Sequence, residues 1–268
     1  LYDGFVLSDF IKTNPFVPFA WDSTSNFFIT TTRQWGGVYT ESVDLETGTL
    51  RFDNAQTRTA LTFLQGLANY ERTSGTKTPL VQVPEYWEKN YASDPFKAVQ
   101  TVMTVGSSAG IYHNVGGRVT EVGVSTIPYF SEDRKVVIQQ GTNVAIFAQS
   151  TDLERMAAWM LIKHFLEPEN IAKFSMETSY FPQRSSVYDL PSYQAFLTNP
   201  PIAYITHAQS INVAIQYETE GFSYFVDPAW AGSSRVRDTV GTMMAQIFVT
   251  GKQIQQALTD AYSTLGVR

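Results

Sequence analysis

Gly106-Ser107-Ser108-Ala109-Gly110 follows directly on the apolar run Thr101-Val102-Met103-Thr104-Val105. Two chemistries suit that pattern. G-x-S-x-G is the nucleophile elbow of serine hydrolases, in which a strand and a sharp turn present the serine, here Ser108, ahead of a long helix. The other is a strand-to-helix turn whose hydroxyls and N–H groups hold a polar ligand with no bond made or broken. The hydrolase needs more than the sequence offers. Only Ile111 to Val115 separate the turn from Gly116-Gly117, too few for a helix of ordinary length. An acid and then a histidine must follow, and Asp189 and His207 are the one pair in that order at plausible spacing. Neither has a supporting motif, and no H-G-G-G oxyanion loop precedes the serine. A ligand-holding turn is the preferred reading. A hydrolase using Ser108, and a plain turn with no ligand, stand beside it.

The composition agrees with a receptor for a polar organic ligand. Aromatic residues make up 14%, with 18 Phe, 14 Tyr and 5 Trp, and such rings stack on ligands as well as filling cores. Charged residues are only 16%, against about 25% in ordinary soluble domains. The net charge of −6 argues against nucleic acid, whose phosphates demand Lys and Arg. No polybasic cluster marks a membrane anchor. With no cysteine, a disulfide framework, a thiolate zinc site and a Cys nucleophile are excluded. His113, His164 and His207 lie far apart with no H-x-x-x-H pattern, so neither metal nor cofactor is expected. No apolar run reaches the roughly 18 residues of a membrane helix. Leu1 to Phe10 read like the middle of something, and the expectation is a processed or truncated piece of a longer protein.

The elements that must position the turn follow from periodicity and caps. Residues 15–50 read as aromatic loops around a helix-like stretch ending near Trp35-Gly36-Gly37. Asp53 or Asn54 caps a helix through about residue 72, with Ala60, Leu61, Phe63, Leu64, Leu67 and Tyr70 at helical spacing. Residues 75–95 read as a loop or short helix. A helix or turn at 95–100 leads into the strand 101–105. Strands are expected at Val122–Pro128 and at Gln139–Phe147. Thr151-Asp152-Leu153-Glu154 is a capping box opening a helix to about Leu166, before Pro168. A helix fills 169–177, and two more cover about 233–250 and 253–264. Strands interleave with helices, so the class is α/β.

From Phe96 onward the chain resembles the family 1 extracellular solute-binding proteins of bacterial ABC importers, which are maltose-binding-protein-like in architecture. Phe96, Met103 and the Gly-Ser turn resemble the family's F…G…AM-x-I-x-[GS] segment. Val122 to Pro128 resembles its YGVxxLP strand, and Gln140 to Phe147 the strand that follows. The helix at 152–166 with Pro168-Glu169, the run Ser179 to Arg184, and Thr250-Gly251-Lys252 with Ala257-Leu258 and Ala261 match later family segments in order and spacing. The resemblance covers about nine tenths of the chain, more loosely over 25–70.

It implies a type II periplasmic-binding-protein-like fold of two α/β lobes, the N-terminal lobe incomplete. Residues 1–137 and 181–268 would form the C-lobe, and 138–180 a segment returning to the N-lobe. The implied role is non-catalytic capture of a carbohydrate in the interlobe cleft, delivered to ABC permease membrane subunits. The protein would be a monomer, periplasmic or lipid-anchored on the cell surface. The serine pair is closest to members binding glycerol-3-phosphate and its diesters, so a phosphorylated polyol is the alternative ligand. Maltose binders carry a stacking Trp where this chain has Ala109. By position, the resemblance assigns ligand contact to Ser107, Ser108, Gly141 and Tyr180. The phosphate-binding arginine falls on Arg237, or on Arg235 by counting back from Gly251. Trp230, Phe27 and Trp21 are candidate stacking groups.

Overall fold

The computed structural model describes residues 17–70 and 79–266. Leu1 to Phe10 and the first part of the expected 75–95 loop lie outside the described residues. The chain runs through β1 (Val17–Trp21), α1 (Thr24–Gln34), the hairpin β2 (Thr40–Ser42) and β3 (Gly48–Leu50), and α2 (Ala55–Ala68). Next come β4 (Val81–Gln82), a 3-10 turn at Pro84–Trp87, α3 (Ser93–Lys97), β5 (Thr101–Val105) and a 3-10 stretch at Ser108–Asn114. β6 (Val136–Ile138) precedes four helices: α4 (Asp152–Phe165), α5 (Pro168–Thr178), α6 (Pro191–Thr198) and α7 (Ile205–Thr219). β7 (Ser223–Phe225), α8 (Ser233–Val249) and α9 (Ile254–Leu265) close the chain.

β1 is the middle strand of a parallel sheet ordered β4-β1-β5. Phe19 stands opposite Val81 on one side and Met103 on the other. A central parallel strand is covered on both faces and reads as a continuous apolar run rather than an alternation. Hence Val17-Pro18-Phe19-Ala20-Trp21 reads as an aromatic loop in the sequence and folds as the strand at the centre of the sheet. A second parallel pair, β6 with β7, sets Val136 opposite Ser223 and Ile138 opposite Phe225.

Three apolar clusters hold these elements. The largest joins Trp21, Phe27, Phe28 and Ile29 to Leu61 and Leu64 of α2, Val240, Met244 and Ile247 of α8, and Leu258 of α9. α1 is buried almost continuously from Phe27 to Thr32, as befits a helix enclosed on several sides. Ile171, Tyr193, Phe196 and Ile211 form a second cluster among α5, α6 and α7. Val137, Val213, Tyr217 and Phe222 form a third beneath β6 and β7.

Capped helices fall where the sequence places them. Asn54 accepts from the Thr57 N–H at 2.9 Å and starts α2, although α2 stops at Ala68 rather than near 72. The Thr151–Glu154 capping box is formed. Two expected strands are not. Residues 122–128 lie outside any sheet; Ile127 N–H donates to Tyr217 Oη at 3.1 Å and Thr126 Oγ1 to Glu220 Oε2 at 2.9 Å, so α7 takes the place of a neighbouring strand. The strand expected over 139–147 sits earlier, at 136–138, because its partner among the described residues, β7, ends at Phe225. Beyond Ile138 no edge among the described residues offers a ladder, and a strand without one is only extended chain.

Candidate functional site

Parallel strands bring their carboxyl ends to one edge, and side chains just past those ends are free to face a ligand. After β1 come Asp22 and Ser23, after β4 comes Glu85, and after β5 come Gly106, Ser107 and Ser108. The turns are tied together: Asp22 N–H donates to Val105 O at 2.7 Å, and Asp22 Oδ1 accepts from Ala92 N–H at 2.7 Å. Ser23 adopts a left-handed φ of 53° with no side-chain cap bond, a strained conformation for a non-glycine residue. Thr24 Oγ1 is 2.9 Å from both carboxylate oxygens of Glu85, so a negative group already stands at the positive end of α1.

The second parallel pair contributes from the other side. Gln140 follows β6 and Asp227 follows β7. Gln140 and Asn26, in the first turn of α1, exchange amide hydrogen bonds at 3.0 and 3.1 Å. Arg237 Nη1 donates to Asp227 Oδ2 at 2.7 Å, and its Nη2 donates to Asn26 Oδ1. The carboxyl ends of five strands thus meet around the first turn of one helix. Asp22, Asn26, Glu85 and Asp227 carry no motif in the sequence, and Gln140 stands there only as the first residue of an expected strand. The Asp22-Ser23-Thr24 cap signature after Trp21 is the one signal that points to them.

Charge at this edge is acidic. Burial holds the Asp22 carboxyl above its usual range; the Ala92 N–H opposes the rise, and the Glu85 and Asp94 charges add to it. Arg237 is engaged by Asp227 at 2.7 Å and Lys97 by Asp94 at 3.6 Å.

The sequence-derived site residues are scattered in role. Ser107 is exposed and Ser108 half-buried, and Ser210 Oγ of α7 donates to Ser108 O at 3.4 Å. Gly141 is exposed, one residue past Gln140. Arg237 lies in the network with 23% of its side chain exposed. Arg235 turns the other way and donates to Thr264 O near the end of α9 at 2.5 Å. Tyr180 stacks on Phe174 at 5.6 Å beside the second cluster. Trp230 leans on the β2–β3 hairpin, where a Cβ on Gly48 would fall 2.1 Å from its ring. Phe27 departs from its expected place: it is 2% exposed and stacks on Trp21 at 4.5 Å, because its position on α1 faces the core. Trp21 is buried with it.

The triad geometry is not formed among the described residues. Ser108 opens a 3-10 stretch rather than a long helix. His207 packs between Tyr112 and Tyr204, and its Nδ1 is buried without a hydrogen-bond partner, so Asp189 does not orient it.

Residues 7–201 match the family model described as bacterial extracellular solute-binding protein. No curated protein sequence matches the chain. Among solved structures, UgpB from Mycobacterium tuberculosis in complex with glycerophosphocholine aligns with a TM-score of 0.66 at 18% identity, over 97% of this chain and 62% of that one. Maltose-bound MalE3 of T. maritima aligns at 0.65 and 16%, over 99% and 66%. The acarbose-binding GacH receptor of Streptomyces glaucescens aligns at 0.66 and 16%, over 96% and 60%. The fold is therefore type II periplasmic-binding-protein-like, and the chain spans about three fifths of the length of these structures.

Proposed function

The chain belongs to the bacterial extracellular solute-binding protein family, and from that premise we propose that it captures a neutral, hydroxyl-rich solute of the carbohydrate class for an ABC importer. The carrying observation is the chemistry of the strand edge. Carboxylates, amides and hydroxyls converge there, and the arginine among them, Arg237, is paired with Asp227. Carboxylates and amides accept and donate to sugar hydroxyls without needing a counter-charge. A phosphate would meet Asp22 and Glu85 and would have to draw Arg237 away from Asp227. Ser107, Ser108, Gly141, Tyr180 and Trp230 would complete the contacts, with Arg237 organising Asn26 and Asp227. Handover goes to the permease subunits outside the cytoplasm, from a monomer free in the periplasm or lipid-anchored at the surface.

A specific observation favours a second ligand. Arg237 stands near the start of α8, where the resemblance places a phosphate-binding arginine, and UgpB is a glycerophosphocholine complex. Calorimetry on the protein separates the two. The carbohydrate reading expects oligosaccharides to bind, and a saturating solute at a hundred times its Kd to stabilise the fold by about 2.7 kcal/mol. Binding of glycerol-3-phosphate but of no neutral sugar overturns it. Ester hydrolysis that disappears in Ser108→Ala overturns the receptor reading altogether.

A further inference from the structure

The turn that carries Ser107 and Ser108 rests on a joint with few hydrogen bonds. Its strand, β5, is rooted in the largest cluster through Val105. The 3-10 stretch after it leans on α7, whose Ala208 and Ile211 belong to the second cluster. Among the described residues one hydrogen bond crosses between the two, from Ser210 Oγ to Ser108 O at 3.4 Å. The rest is ring packing. His207, one helical turn before Ser210, is 9% exposed. It lies nearly parallel to Tyr112 at 6.1 Å and edge-on to Tyr204 at 5.2 Å. Three side-chain atoms of these two elements are buried without a partner: His207 Nδ1, Gln209 Oε1 and Asn114 Oδ1. Buried polar atoms are normally paired. A joint with three orphans is closed by packing, and it sits at the low end of local stability.

We propose that His207 is a positioning residue for solute capture: while neutral it seats the Ser107–Ser108 turn on α7, and its protonation unseats the turn and releases the solute. The inference rests on the reading that this turn touches the solute. The neutral ring carries one N–H and can turn a bare nitrogen inward. The imidazolium carries an N–H on both nitrogens, and Nδ1 has no acceptor in place. Among the described residues no carboxylate is paired with the ring. Tyr112 and Tyr204 flank it, with exposed His113 beside Tyr112. α6 brings Tyr193, whose hydroxyl is engaged by Ser175. α5 brings Glu169, Lys173 and Glu177, all exposed. α3, packed against the 3-10 stretch, brings Lys97, engaged by Asp94. Burial is the one cause that lowers the basicity of His207. The seated form therefore holds fewer protons than the unseated one. Affinity is intact above the ordinary histidine value near 6.5 and declines as the pH falls below it.

Nuclear magnetic resonance on the protein without solute tests the joint. The amides of Ser108 to Asn114 are expected to shift between pH 7 and pH 5 with the same midpoint as the His207 ring protons, and to lose that shift in His207→Gln. Calorimetry against a panel of neutral oligosaccharides, maltose among them, tests the coupling. Affinity is expected to be about tenfold weaker at pH 5 than at pH 7, tenfold being the full linkage of one proton over one pH unit. In His207→Gln it should stay level across that range. If His207→Gln does not fold, the amide titration of the parent decides. Three results overturn the proposal: amides of 108–114 indifferent to the titration of His207, an affinity that is level with pH in the parent, or a decline that persists in His207→Gln and so belongs to Asp22 or His113. Amides that follow His207 in a protein that binds none of the panel uphold the seating of the turn and overturn the carbohydrate reading alone.

Discussion

Val99 carries a β-branched side chain at φ 59°. It ends α3 in a Schellman arrangement, with Val99 N–H on Phe96 O at 2.9 Å and Gln100 N–H on Pro95 O at 2.8 Å. Left-handed geometry costs an L-residue roughly 1–2 kcal/mol, and a glycine there loses about 0.5–1 kcal/mol in entropy. Val99→Gly is therefore expected to stabilise the chain by about 0.5–1 kcal/mol, read as a raised urea midpoint with an unchanged slope. Asp22 gives a prediction with a pH sign. Its carboxyl binds its proton more tightly in the native state, so stability falls as pH climbs from about 4 through the raised value. Asp22→Asn keeps an acceptor for Ala92 and removes the titration. Denaturation at pH 4 and pH 7 should show a smaller difference than in the parent, while on the proposed function calorimetry shows solute affinity down about tenfold.

At the scale of elements, α5 and α6 are joined through one buried hydroxyl. Ser175 Oγ donates to Tyr180 O at 2.5 Å and lies 2.7 Å from Tyr193 Oη. Ser175→Ala leaves the fully buried Tyr193 hydroxyl alone, and a loss of about 1–3 kcal/mol is expected in chemical denaturation. His207 links α7 to the 3-10 stretch after β5. Burial depresses its basicity, so its contribution is intact above the ordinary histidine value near 6.5 and is lost as pH falls through the depressed one. His207→Gln should flatten the fall in melting temperature between pH 7 and pH 5. Legibility in the sequence followed how local each cause is. The caps of α2 and α4 act within four residues and are plain. β1 is hidden in the sequence because an enclosed strand shows no alternation. α6, α7 and β7 went unread because α7, with Ile211, Val213 and Ile215 among small polar residues, shows no single apolar face. The strands expected at 122–128 and 139–147 had the right composition, but their pairing depends on distant partners. In the same way Ser107 and Ser108 are visible as a turn, whereas Asp22, Asn26, Glu85 and Asp227 are gathered at the strand edge only through the topology.

Over the whole molecule, stability should be graded by cluster. α1 and α8 share the largest core and should show the slowest amide exchange in the 268-residue chain, α6 and α7 an intermediate rate, and 139–149 the fastest. Equal protection of 139–149 and α8 in that chain would contradict the gradient. The −6 charge and the acidic strand edge add a consequence for encounter: an uncharged solute should associate at a rate indifferent to salt, because no long-range field steers it.

The turns that follow the five parallel strands have one more implication, for how such a protein changes over time. Their backbone course is set by the ladders behind them, while their side chains carry little of the core. On the proposed function, replacement of exposed Ser107 or Gln140 would alter which solute is bound at small cost to the scaffold. A lineage carrying this arrangement could change its ligand preference through single substitutions, each passing through a folded intermediate.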